Sequence, residues 1–273
     1  MILAALLAAL FGLLIGSFLN VCIYRMPRDL SVVRPRSFCP ECDQTIPWYD
    51  NIPLVSYALL RGRCRRCAHR IGWRYPVVEF LTGALFFCAF WFLGTTLAAA
   101  KFAVFGAIMI ALVFSDLEER ILPDEFTLGG TALGVIFAAF VPVSGGLLLM
   151  IFYNAKHPWL VSLFDSLLAA GICSGSLWLV RALYEKVRHR EGLGLGDVKM
   201  GAMIGAFLGM QGALLVLLVG SLLGVVIGLG YTWFTGKDAT TYELPFGAFL
   251  GVAAVGVAYF TEVIFNLYNR LGV

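Results

Sequence analysis

Apolar residues run through this chain in long, nearly unbroken blocks, and polar residues gather into a few short connections and one long one. That pattern is neither the period-two alternation of a half-buried strand nor the single stripe of a surface helix. Blocks of about 17 to 25 apolar residues are what a helix needs to cross a bilayer. Eight are read, at roughly 2–24, 77–97, 99–115, 125–142, 161–183, 198–211, 212–235 and 245–267. The expected fold is an all-α polytopic membrane protein of about eight transmembrane helices with a small cytoplasmic loop domain. It divides into a first transmembrane helix at 1–24, the loop domain at 25–76 and a domain of about seven helices at 77–273. The stretch 142–160 is too short to span; it either extends the fourth helix or lies in the outer interface.

Composition supports the membrane and excludes a soluble domain. Of the 273 residues 60% are hydrophobic and only 14% charged, with a mean hydropathy of +0.87, which is more than a soluble core requires. The first block has no basic residue before it and continues into Gly16-Ser17-Phe18-Leu19-Asn20 without a small-x-small cleavage site. It therefore reads as a retained helix and not as a signal peptide. If it runs outside to inside, 25–76 and the loops near 116–124, 184–197 and 236–244 are cytoplasmic. Of the twenty Lys and Arg residues only Lys101, Lys156 and Arg270 then fall outside, as the positive-inside rule demands. The net charge of +3 thus records orientation and not a nucleic-acid surface. Ten arginines against four acids in 25–76 also suit membrane lipid with anionic headgroups, or an acidic partner.

The long polar connection carries the first candidate chemistry. Cys39-Pro-Glu-Cys42 and Cys64-Arg-Arg-Cys67 are two pairs with twenty-one residues between them. Each pair presents two thiolates from one tight turn, and two such turns close a tetrahedral site suited to zinc. Two disulfides are the alternative, but they need an oxidising compartment, whereas the arginine count puts the loop in the cytosol. A closed four-thiolate site has no open position, so the metal is expected to be structural. His69 reads as a bystander. Cys22, Cys88 and Cys173 lie within apolar blocks and read as small core residues. Trp48, Tyr49, Tyr57, Trp73 and Tyr75 suit the headgroup level or the wall of a small-molecule pocket.

The second chemistry is carboxylate. Acids at membrane depth are costly and point to function. Asp116 ends a long apolar block, and Asp197 opens another after the alternating glycines Gly192, Gly194 and Gly196. Two carboxylates that meet cannot both ionise cheaply and share a proton, the arrangement that hydrolyses peptide bonds without a metal. Asp197 also suits a helix N-cap, and Asp124, after Pro123, suits one as well. Spacing alone puts Asp116 only modestly ahead of Asp124. The glycines permit positive φ or a closely docked extended backbone, the access a peptide substrate needs, which makes Gly194 and Gly196 substrate-binding candidates. The helix N-terminus at Asp197 favours its charged form and argues for Asp197 as base and Asp116 as acid. Lys199 either adds to that bias or sits at the interface.

These motifs, in this order, resemble the type IV prepilin peptidases: GSFLNVCIYRMPR at 16–28, the cysteine pairs, WYDNIPLVSYALLRGRCRRC at 48–67, RYPVVEFLTG at 74–83, the segment from Asp116 to Asp124, GLGLGDVKM at 192–200 and LPFGAFLG at 244–251. The resemblance implies a GxGD-type aspartyl protease of the bacterial inner membrane with Asp116 and Asp197 as its pair. It implies cleavage of prepilin and pseudopilin precursors after a glycine that ends a short basic leader. It also implies methylation of the new N-terminal residue from S-adenosylmethionine, a function associated with the cysteine loop. Glu79 matches a family position, where an acid either holds the substrate's new ammonium or pairs with Arg74. A proton-coupled carrier and a zinc-bearing assembly scaffold are the other classes considered; the absence of a repeated half and the placing of both acids at one face weigh against the carrier.

Overall fold

The computed structural model describes residues 1–143, 146–152, 156–190, 192–235 and 245–271. The expected loop at 236–244, and residues 144–145 and 153–155 of the stretch at 142–160, lie outside the described residues. The chain is all-α, in two compact units, Met1–Ala111 and Leu112–Val273.

In the first unit, helix α1 (Ile2–Arg25) packs along α3 (Arg74–Leu93), and the cysteine loop with the short α2 (Val55–Leu59) lies between them in sequence. The sequence reading grouped residues 77–97 with the later helices; the structure puts α3 with α1. The reason is close helix approach. A side chain at Gly12 would meet Phe86, one at Gly16 would meet the Glu79 backbone at 2.7 Å, and one at Gly83 would meet Leu13. Lipid tails are as apolar as leucine, so helices in a bilayer associate through small residues that let backbones touch, and not through apolar burial itself. Asn20 adds a polar tie, its Nδ2 donating to the carbonyl of Tyr75 at 3.0 Å.

Helix α4 (Leu97–Glu119) is the most buried of the candidate spans, with Phe105, Met109 and Leu112 all fully buried. Lys101, in the block read at 99–115 and counted there with the outer side, is 1% exposed within this helix, its ammonium over the Phe102 ring.

The second unit packs α5 (Asp124–Phe140), α7 (Pro158–Arg188), α8 (Leu195–Thr235) and α9 (Phe246–Leu271) around small residues again. Gly205 of α8 sits against the backbone of Ala169 in α7, Gly134 of α5 against Phe207 and Ala206, and Gly220 against Leu250 of α9. The Ser166 hydroxyl donates to the carbonyl of Ala206 at 2.9 Å. Helix α8 is broken at Gly209, where φ is +71° and ψ is −175°, so the blocks read at 198–211 and 212–235 are its two halves. Between α5 and α7, the five-residue α6 (Leu147–Ile151) is capped by the buried Asp165, which accepts the N–H of Leu148 at 2.7 Å. Among the described residues of 142–160 the helical ones belong to α6 and to the start of α7, after α5 has ended at Phe140. Among the described residues five helices, α1, α3, α4, α7 and α8, are long and apolar enough to cross a membrane by length and composition, and Phe246–Thr261 is a shorter apolar helix.

Candidate functional site

In the first unit the four cysteines come together. Cys39, Cys42, Cys64 and Cys67 have all their sulfurs within 4.8 Å of one another, and no two of the seven cysteines are joined. A tetrahedron with metal–sulfur arms of about 2.3 Å has an edge of about 3.8 Å, and the sulfurs of Cys39 and Cys67 are 3.8 Å apart. The donor set and its spacing fit a divalent metal such as zinc.

Two turns of the same construction build this cluster. The carbonyl of Cys39 accepts the N–H of Asp43, its N–H donates to Gln44, and Phe38 bridges Thr45; twenty-five residues on, the carbonyl of Cys64 accepts the N–H of Ala68, its N–H donates to His69, and Arg63 bridges Arg70. Asp43 and Ala68 close the turns at φ of +53° and +56°. Each turn folds the second sulfur back toward the first and leaves backbone N–H groups facing them. The N–H groups of Cys67 and Arg66 accordingly hold the Cys64 thiol down at about 7, the thiolate form that a metal requires. Across the cluster Arg65 makes a two-pronged contact with Asp50, at 2.6 and 2.8 Å, which keeps the Asp50 carboxyl below the usual carboxylate range.

Glu79, on the first turns of α3, is buried and accepts the N–H of Leu54 at 2.8 Å. Leu54 has a φ of +59°, so one contact of Glu79 steadies a strained turn. Arg74 lies over the Tyr75 ring.

In the second unit the carboxylates converge, each brought by a helix end. Asp116 lies in the last turn of α4, where the Ser115 hydroxyl donates to the carbonyl of Ile121 at 2.7 Å and closes the turn into α5. Asp197 lies in the first turn of α8 and its Oδ2 accepts the N–H of Gly194 at 3.2 Å. That is half of a capping box, with Gly194 at the N-cap and Asp197 at the third position. Asp197 is thus not itself the N-cap. Nor is Asp124, which is the first residue of α5 behind Pro123 and takes Lys199 instead, with Nζ at 2.6 and 2.8 Å from its two oxygens.

A third helix end completes the site, and the sequence reading gave it no role. Ala248, at the start of α9, donates its N–H to Asp116 Oδ2 at 2.7 Å, one of the N–H groups that a helix leaves unpaired at its N-terminus. One residue earlier, a side chain on Gly247 would lie 3.1 Å from Asp116 Oδ2, 3.1 Å from Asp197 Oδ1 and 2.9 Å from Leu122. A single point therefore touches an oxygen of each acid, and those oxygens are no farther apart than twice that distance. The local signal was Pro-Phe-Gly before an apolar block, a helix start; the approach to two distant acids has no local signal.

Of the two roles read for the alternating glycines, positive φ and a closely docked backbone, the backbone angles bear on the first. Neither Gly194 nor Gly196 has a positive φ. Gly192 packs on the Tyr184 ring, Gly194 on Asp197 and Gly196 on Leu122, so their missing side chains make room for contacts within the unit that seat Asp197.

Two family models match the chain. One described as the bacterial peptidase A24 N-terminal domain covers residues 10–93, and one described as the type IV leader peptidase family covers residues 103–229. A prepilin leader peptidase/N-methyltransferase of Myxococcus xanthus is 39% identical over 233 residues, which is 85% of this chain and 64% of that protein. Proteins of the same description from Neisseria gonorrhoeae and Legionella pneumophila are 36% and 34% identical, and the aligned parts cover 82% and 96% of this chain and 80% and 93% of theirs. No solved structure matches.

Proposed function

The chain belongs to the type IV leader peptidase family, and from that premise we propose that it is a membrane aspartyl endopeptidase that removes the leader of prepilins and pseudopilins after a glycine and N-methylates the residue exposed. The observation that carries the peptidase reading is the convergence of Asp116 and Asp197 at Gly247.

The hydrogen bonds support a division of roles. Sequence position favoured Asp197 as base. The shorter bond, however, goes to Asp116, from a main-chain N–H at the α9 N-terminus, and such a contact stabilises a carboxylate. Asp116 therefore takes a proton from the attacking water, while Asp197 gives its proton to the scissile carbonyl oxygen. In the tetrahedral diol so formed, Asp116 passes its proton to the departing amine nitrogen and Asp197 recovers one from the diol as the C–N bond breaks. Both acids end as they began. Gly194 and Gly196 seat Asp197, and Lys199 holds the start of α5 to the start of α8.

Cys39, Cys42, Cys64 and Cys67 hold zinc as a closed structural site, which fixes a loop too small to order itself by burial. S-adenosylmethionine, when bound, supplies an electrophilic methyl group. The arginine distribution supports a position for the cysteine loop and both aspartates at the cytoplasmic face of the inner membrane.

The test uses the detergent-purified chain and a synthetic precursor with a basic leader, a glycine and an apolar helix. Cleavage after the glycine is expected, and its loss in both Asp116→Asn and Asp197→Asn. Full activity in either variant removes that residue from the pair, and no cleavage by the parent chain overturns the peptidase reading.

A further inference from the structure

The connection between α4 and α5 consists of residues 120–123, and both of its ends are tied. The Ser115 hydroxyl donates to the carbonyl of Ile121 at one end, and the carbonyl of Pro123 accepts the N–H groups of Phe126 and Thr127 at the other. Between these ties Ile121 is 46% exposed and Leu122 only 9%. Leu122 is thus turned inward, on a connection that hydrogen bonds already hold. What it meets there is the carboxylate site. A side chain on Gly196 would lie 2.9 Å from the Leu122 Cβ and 3.2 Å from its Cδ1, and one on Gly247 would lie 2.9 Å from its Cδ1. That point on Gly247 is also 3.1 Å from an oxygen of each aspartate, so the Leu122 methyl group is within about 6 Å of both oxygens. Of the three residues that meet beside the acids two have no side chain, and Leu122 fills the space that both leave. Contacts this close leave no room for a further carbon.

We propose that Leu122 is a specificity-determining residue: its side chain, seated against Gly196 and Gly247, walls the subsite for the residue before the cut and favours one that has no Cβ. The inference rests on the peptidase reading above and deepens it, since glycine is what such a wall selects. The wall belongs to the residue before the cut and not to the one after it. Leu122 touches Gly196, which immediately precedes Asp197, and Asp197 is the acid that protonates the scissile carbonyl oxygen. That carbonyl belongs to the residue before the cut. Its carbon is bonded to that residue's α-carbon at about 1.5 Å, so the α-carbon comes up against the same wall. An α-carbon with two hydrogens fits; one with a methyl group must push Leu122 aside or draw the carbonyl away from the acid. A misfit of one carbon in a packed site changes discrimination by about 10- to 200-fold, enough to set the preference by shape alone.

The test compares kcat/KM of the detergent-purified full chain on two precursors that differ only in carrying glycine or alanine before the cut. The ratio is taken within one preparation, so the fraction of folded protein cancels. The parent should prefer glycine by at least about tenfold. Leu122→Ala should raise the alanine-to-glycine ratio by about tenfold or more, and Leu122→Val, a smaller truncation, by a smaller factor. Leu177→Ala removes a leucine packed on Gly201, farther along α8; it should lower the melting temperature and leave the ratio at the parent value. An unchanged ratio in both Leu122 variants overturns the proposal. So does a rise of the same size in Leu177→Ala, which would be a general loosening of the unit. Loss of cleavage of both precursors in both Leu122 variants assigns the side chain to holding the acids in place and overturns the proposal too. A parent that cleaves the two precursors equally leaves the peptidase reading standing with no selectivity for Leu122 to impose. A parent that cleaves neither sinks the peptidase reading itself.

Discussion

The cysteine cluster and the aspartate pair are built on opposite plans. All four sulfurs come from residues 39 to 67, on two turns whose main-chain hydrogen bonds stay within a few residues. The carboxylate site instead joins the end of α4, the start of α8 and the start of α9, at residues 116, 197, 247 and 248. A local site forms when its metal binds; a site of distant helix ends exists only if the whole unit packs. The first is therefore sensitive to ligand removal and the second to small changes in packing volume.

The largest effect expected is metal removal. Structural zinc sites carry apparent binding energies of about 10 to 16 kcal/mol that are also folding energy. Chelation, or Cys39→Ser with Cys64→Ser, should open residues 39–71 to limited proteolysis and abolish S-adenosylmethionine binding and methyl transfer to a pre-cleaved peptide. Metal analysis of the parent should give about one zinc per chain. Precursor cleavage should fall much less, since the contacts that seat Asp116 and Asp197 come from Gly194, Gly247 and Ala248 of the second unit. Equal loss of both activities would break the division between the two sites.

Next is Gly247→Ala, the converse case. The added carbon would lie 3.1 Å from an oxygen of each aspartate and 2.9 Å from Leu122, so the acids must part or α9 must retreat. A misplacement of about 1 Å at a catalytic centre can cost about a hundredfold, and cleavage should fall by about that factor while zinc content and S-adenosylmethionine binding stay unchanged. Cleavage within a few-fold of the parent would show that Gly247 is not the point where the acids meet.

The same contrast explains how much of each site could be read in advance. Cys39, Cys42, Cys64 and Cys67 were legible because two cysteine pairs are a local pattern with a fixed chemical meaning. The likeness of the two turns was not, because it lies in main-chain hydrogen bonds and in positive φ at Asp43 and Ala68, residues with no side chain in common. Both aspartates could be picked out as acids next to apolar blocks, but the third helix end could not. Ala248 contributes only a backbone N–H, and Gly247 contributes the absence of a side chain. For the fold, every apolar block was found as helix. What periodicity could not show was that α3 pairs with α1, since that depends on Gly12, Gly16 and Gly83 facing across the contact. Nor could it show that Lys101 is buried inside α4.

A smaller effect is expected at Ser115, whose hydroxyl closes the turn that presents Asp116. Ser115→Ala leaves the carbonyl of Ile121 without that donor and should cost about 1 kcal/mol, seen as a lower melting temperature in detergent and a several-fold lower cleavage rate. Ser115→Thr keeps the hydroxyl and should restore most of both. An alanine variant as active and stable as the parent would mean that Asp116 is held by Ala248 alone.

The smallest effect belongs to Lys199 and Asp124, and it tests whether the helix ends are held by charge or by packing. Their side chains are 32% and 56% exposed, and ion pairs as open as this contribute about 0 to 1 kcal/mol, because water already stabilises both charges. Lys199→Met and Asp124→Asn should each lower the melting temperature slightly, and the double variant should match the single ones, since either change already removes the whole interaction. Raising salt from about 0.1 to 1 M shortens the screening length from about 10 to 3 Å and should reproduce part of the loss in the parent and none in the double variant. Cleavage should change by less than about threefold in all three, because the contacts that fix the acids are Gly194 N–H, Ala248 N–H and the close approach at Gly247. If Lys199→Met alone removes activity while Asp124→Asn is silent, the ammonium works on the substrate or on the carboxylate pair, and the ion pair is only where it rests.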